Sequence, residues 1–193
     1  ESRGFFRKKR WRRGVRAGSR WPFTFLGRCT PDNARAKDYM PYPYFLGYAT
    51  TYVAEKIGKE KVYFRDSIAL SESYESFYKY LASIHNKIEY FLIESATPSW
   101  EHDYKLIKHI KEKYPKLKII VAGPISTSNQ EWDSKIIHAI LKGEYEKNVM
   151  KVLNGQEGLI EHDLLTLEEM NKAPFPYYDK NIYDKYFDGN PIP

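Results

Sequence analysis

The 193 residues are 42% hydrophobic and 29% charged, enough for one ordinary domain with a real core and short of two. No apolar run approaches the ~20 residues of a membrane-spanning helix. The single cysteine, Cys29, excludes a disulfide framework, a cysteine zinc site and a self-contained iron–sulfur cluster. The net charge of +6 is uneven: residues 1–28 hold ten Lys/Arg against Glu1, a net +9, leaving 21 bases against 24 acids, a net −3. The low cysteine content, with no basic-then-apolar leader, gives the expectation of a cytoplasmic protein.

In chain order, residues 1–40 lack periodicity and read as a basic arm and loop. Arg7–Arg13 has the basic-plus-aromatic texture of a nucleic-acid arm, so residues 3–20 are a candidate electrostatic contact for nucleic acid, the alternative being a plain solvated charge run. Arg16–Pro22 is expected to fold over the strand ends. Tyr42–Ile57 spaces Phe45, Leu46, Ala49, Val53 and Ile57 along one helical face, and Gly58 stops it. Lys61–Arg65 is a short strand, and Ser73 caps a helix carrying Phe77, Tyr80, Leu81 and Ile84. Tyr90–Ile93 is a short, β-prone apolar run, read as a buried strand. Ser99 is placed to cap a helix striped by Tyr104, Ile107, Ile110 and Tyr114, which Pro115 ends. Lys118–Val121 is a third buried run, residues 129–137 are weakly helical, and Ile137–Leu141 is a fourth run ended by Gly143. Tyr145–Leu153 is a last short helix.

This alternation predicts an α/β domain over residues 41–155: an open, mainly parallel sheet with helices on both faces and right-handed crossovers. From Gly155 the pattern dissolves, and residues 156–193 read as an extended linker.

In open α/β sheets, ligands bind beyond the carboxyl ends of the strands. Three of the loops expected there are rich in small or hydroxylated residues: Ser95–Ser99, Ala122–Ser128 and the Ser67/Ser71 pair. Small side chains let a large flat ligand approach the backbone, and hydroxyls bond its polar groups. Any single hydroxyl is more simply read as a cap or a solvated loop residue; it is the three loops together that suggest a ligand. There is no G-x-G-x-x-G and no G-x-x-x-x-G-K-[ST], which argues against a dinucleotide or a triphosphate. The five histidines show no metal spacing.

Several strings together resemble the amino-terminal cobalamin-binding domain of radical SAM proteins. They are Val15–Pro22, Tyr39–Tyr48, Glu94–Asp103, Val121–Pro124, Leu141–Glu146 and Leu165–Asp179, in the family's order. The resemblance implies a Rossmann-like, flavodoxin-like fold with a corrin on the carboxyl ends of its strands. It implies cofactor contacts at Ser95, Thr97, Ser99, Gly123, Pro124, Ser126, Thr127, Gly143 and Glu144, and the nucleotide tail running between the loops at Ser95–Ser99 and Gly123–Thr127. It assigns no catalytic residue. Where relatives with a protein lower ligand carry Asp-x-His-x-x-Gly, this chain has Asp66–Ser71, with Ile68 in the histidine place. Cobalamin is therefore expected without a histidine ligand, its lower face open or covered by Ile68 or Leu70. Residues 156–193 would lead to a radical SAM domain as the partner, and the iron–sulfur cluster and S-adenosylmethionine would belong to that domain. The chain ends before the family's three-cysteine motif, and Gly4–Phe6 is the one apolar trace of the family's first strand. Bulky replacements of Gly123 or Ser95 are expected to block the cofactor without disturbing the sheet. The competing readings are a domain that keeps the fold but binds nothing, a nucleic-acid accessory module acting through the arm, and a plain interaction domain.

Overall fold

The computed structural model describes residues 23–26, of which only the backbone is considered, 42–128 and 132–184. The basic arm, Arg16–Pro22 and Cys29 lie outside them. Six parallel strands form one sheet: β1 (Phe23–Leu26), β2 (Val62–Arg65), β3 (Tyr90–Glu94), β4 (Lys118–Ala122), β5 (Ala139–Leu141) and β6 (Gly158–Ile160), in the order β2-β1-β3-β4-β5-β6. This is the predicted α/β architecture. The four apolar runs are its strands β2 to β5, with boundaries within two residues of expectation.

Two strands stand where none was expected. β1 lies inside the stretch read as arm and loop, and it sits between β2 and β3 rather than at an edge. Its sequence, Phe-Thr-Phe-Leu between Pro22 and Gly27, is too short to show a period, and the neighbouring arginines obscure it. β6 lies inside the stretch read as linker and pairs with β5 through Ile140↔Leu159. Three residues opened by a glycine carry no strand signature; pairing with β5 creates the strand.

Two-residue alternation divides β3 and β4 between two cores. Phe91, Ile93, Ile119 and Val121 face α2 (Tyr74–Ile84) and α3 (Trp100–Lys113). Tyr90, Leu92, Ile120 and Ala122 face α1 (Tyr44–Ile57) and α4 (Glu146–Leu153). α1 buries Leu46, Ala49 and Val53 as its spacing predicts, but Phe45 stays 60% exposed. α1 and α4 share a face although the chain moves in opposite directions across the sheet at the two crossovers. The last crossover therefore has the opposite hand to the first, a departure from uniformly right-handed connections.

Residues 132–137 contain a turn, not the weak helix expected. The segment read as linker instead folds back. After a six-residue helix α5 (Leu167–Lys172), it lies along α1: Tyr177 N–H donates to Gly47 O (3.0 Å), Thr51 Oγ1 donates to Phe175 O (2.8 Å), and Tyr42 O–H donates to Tyr177 O (2.6 Å). The Tyr177 ring stacks on Phe64, 4.6 Å between centroids, and the short helix α6 (Lys180–Tyr183) brings Tyr183 against Tyr42.

Candidate functional site

In a doubly wound sheet the ligand crevice opens where the strand order reverses. Here that point lies between β1 and β3, and the carboxyl ends of β3, β4 and β5 form its described rim. α1, α3 and α4 each begin on this rim.

The loops after β3 and β4 are joined. Ser95 N–H donates to Ala122 O (2.8 Å), and Ile125 N–H donates to Ser95 O (3.2 Å). Gly123 has φ +97°, and a Cβ there would collide with the Ser95 carbonyl oxygen. The two expected contact positions Ser95 and Gly123 thus hold each other. A bulky replacement at Gly123 would collide with this junction, so it would disturb the loops themselves as well as any ligand on them. No channel for a nucleotide tail separates the two loops at this point.

The hydroxyls turn inward as well. Asp103, buried in the first turn of α3, accepts from Ser95 Oγ (2.5 Å) and Ser99 Oγ (2.7 Å). Ser99 makes no side-chain cap bond to α3; bonding to Asp103 takes the place of the expected cap. Ser126 Oγ donates to Gly123 O (2.7 Å) and Thr127 Oγ1 to Pro124 O (2.8 Å), within a 3-10 turn over Pro124–Thr127. Thr97, Pro124 and Thr127 are the expected residues left exposed. Gly143, φ +72°, is covered by the His162 ring, and Glu144 beside it is half-buried. Glu144 adds to the effect of burial in holding the Glu146 carboxyl above its usual range.

Asp66–Ser71 follows β2, two strands from β3 and so roughly 10 Å to the side. Asp66 Oδ1 accepts from the Ile68 and Ala69 N–H groups (3.1 and 3.0 Å), closing a turn that buries Ile68. Ser71, at the position the resemblance gives to glycine, has φ +50°. Its backbone conformation is the one that favours glycine.

Glu94 and Tyr145 were missed by the sequence reading. Glu94 ends β3 and is 3% exposed. Its Oε1 accepts from the Tyr145 O–H (2.9 Å), and its Oε2 is buried with no hydrogen-bond partner among the described residues. The signal was present in Tyr-Phe-Leu-Ile-Glu: alternation puts position 94 on the same inward face as Tyr90 and Leu92. A small recess beside Ser126 is lined by Trp100, Val121, Ile125, Ser128, Trp132 and Ile140, with room for about one water.

Among the described residues no group of three His, Cys, Asp or Glu could hold a metal, and no helix is long and apolar enough to cross a membrane. Comparison of the chain with protein-family models, curated proteins and solved structures gives no match.

Proposed function

We propose that this chain is a cobalamin-binding domain that holds a corrin against the carboxyl rim of its sheet and serves a radical SAM domain. One observation carries the reading. Three of the strings behind the resemblance, Glu94–Asp103, Val121–Pro124 and Leu141–Glu146, fall on the carboxyl ends of β3, β4 and β5, where an open α/β sheet receives a ligand.

The rim's chemistry fits such a group. Glu94, Glu144 and Glu146 make it acidic near β3 and β5, which disfavours a polyphosphate and suits the carboxamide N–H donors around a corrin. A bound corrin would supply a cobalt centre for methyl transfer or rearrangement. The chain's own part is to hold it: Thr97, Pro124, Thr127 and Glu144 are the expected contacts open to a ligand, while Ser95, Ser99, Gly123 and Ser126 shape the loops behind them. The iron–sulfur cluster and S-adenosylmethionine belong to the partner domain.

The test is uptake of hydroxocobalamin by the purified chain, followed by absorbance after gel filtration. Stoichiometric uptake is expected, with no sign of protein imidazole on cobalt and no loss when any of the five histidines is replaced. Absence of uptake by the folded chain would overturn the reading. It would favour the non-binding interaction domain, which the junction between the 95–99 and 123–127 loops and the water-sized recess also support.

A further inference from the structure

Burying a carboxyl oxygen with no donor forfeits its hydration without replacing it, and folded proteins leave few such atoms. Glu94 Oε2 is one. It ends a central strand beside the strand-order reversal. Its other oxygen is already held by Tyr145 at 2.9 Å, so the carboxyl cannot turn to pair Oε2 without giving up that bond. Its surroundings are apolar and close: Ala122 faces it in the β3–β4 register, and Gly123 packs so near that a Cβ there would press on the Glu94 Cγ. On the outer side, Tyr145 packs on Phe45, their rings 6.4 Å apart, and Phe45 is exposed. A path of contacts thus leads from solvent through Phe45 and Tyr145 to the Glu94 carboxyl, at its Oε1, and both aromatics sit at the rim ends of their helices.

We propose that Glu94 Oε2 accepts a carboxamide N–H of the ligand seated on the rim, with Tyr145 as the positioning residue that aims the carboxyl and Phe45 as the side chain that yields to admit it. This rests on the corrin reading and names the acceptor for one of the ring's amide arms. The preference follows from donor and acceptor count: a carboxyl oxygen accepts, a carboxamide donates, and a ligand carboxylate at the same place would put two acceptors face to face.

The experiment compares hydroxocobalamin with its six singly hydrolysed derivatives, in which one carboxamide is a carboxylate, on the whole chain and on Glu94→Gln. Wild type should bind cobalamin at least tenfold more tightly (~1.4 kcal/mol) than one of the six acids. Glu94→Gln, which presents an N–H in place of Oε2, should lose about tenfold for cobalamin and bind that same acid better than wild type does. Equal cobalamin affinity in wild type and a folded Glu94→Gln, with no exchange of preference, would overturn the inference and leave the corrin reading standing. A wild type that takes up no cobalamin would overturn both. If Glu94→Gln does not fold, Tyr145→Phe carries the test: with the carboxyl no longer aimed, its preference for the amide over that acid should shrink, and a folded Tyr145→Phe whose preference equals that of wild type would overturn the proposal.

Discussion

At Gly123 the backbone turns out of β4 with φ +97°, beside a strand end whose carbonyl fills the place of a Cβ. Replacement by alanine combines a glycine-only conformation with a collision, and should cost about 3 kcal/mol or more, read as a lower denaturant midpoint. Ser71 is the reverse case. Its φ of +50° places a non-glycine residue in the left-handed region. Ser71→Gly should be neutral or raise stability by up to ~1 kcal/mol, and a loss of more than that would mean the serine side chain holds the turn. The contrast between the two positions was partly visible in advance. The Ala-Gly-Pro string announced a turn, but no feature of Ser71 in the sequence sets it apart from the serines around it. It sits at the end of a tight turn in which Asp66 Oδ1 accepts from the Ile68 and Ala69 N–H groups and the Ser71 N–H donates to Ile68 O.

The six-residue helix α5 is too short to persist by propensity, and its ends explain its presence. Thr166 and Glu169 form a capping box, Glu169 N–H donating to Thr166 Oγ1 (3.2 Å) and Thr166 N–H to Glu169 Oε2 (2.7 Å). Lys147 of α4 pairs with Glu169 at 2.7 Å and also lies near Asp163. The Lys147 ammonium and the Thr166 bonds together hold the Glu169 carboxyl down at about 2. A depressed carboxyl pKa contributes stability that is complete above the ordinary value and is lost as pH falls through the depressed one. Docking of α5 on α4 should therefore hold at pH 6 and weaken between about 4.5 and 2. Amide chemical shifts of residues 166–170 should follow the Glu169 carboxyl through that window, and a midpoint near 4.5 would show that the ion pair does not form. The Thr-Leu-Glu-Glu spacing is a capping box legible in the sequence, yet the segment reads as linker. Fewer than two helical turns give no period, and the lysine that anchors the helix lies on another element, α4.

For the whole molecule, the returning segment closes the α1 side of the sheet. Tyr177 contributes a ring on Phe64, an N–H to Gly47 and a carbonyl to Tyr42. Tyr177→Ala removes the ring and keeps both backbone bonds, so the expected loss is about 2 kcal/mol, below that of a fully buried aromatic. An unchanged unfolding midpoint would show that the segment does not dock.

Composition and local pattern by themselves determined the α/β class, the identity of β2 to β5, the stops at Gly58 and Pro115, and the Ser73 cap, whose Oγ accepts from Ser76 N–H. Each depends on residues within a turn or a strand of one another, and short-range periodicity records such contacts. Tertiary structure decided the rest. β1 and β6 exist because neighbouring strands offer them backbone partners, and pairing partners leave no mark on a three- or four-residue segment. The hydroxyls of Ser95 and Ser99 look available to a ligand until Asp103 is brought beneath them. Glu94 becomes a candidate acceptor only when Tyr145, fifty-one residues later, takes one of its oxygens and leaves the other without a donor. These contacts join residues far apart in the chain, and no local pattern encodes who meets whom.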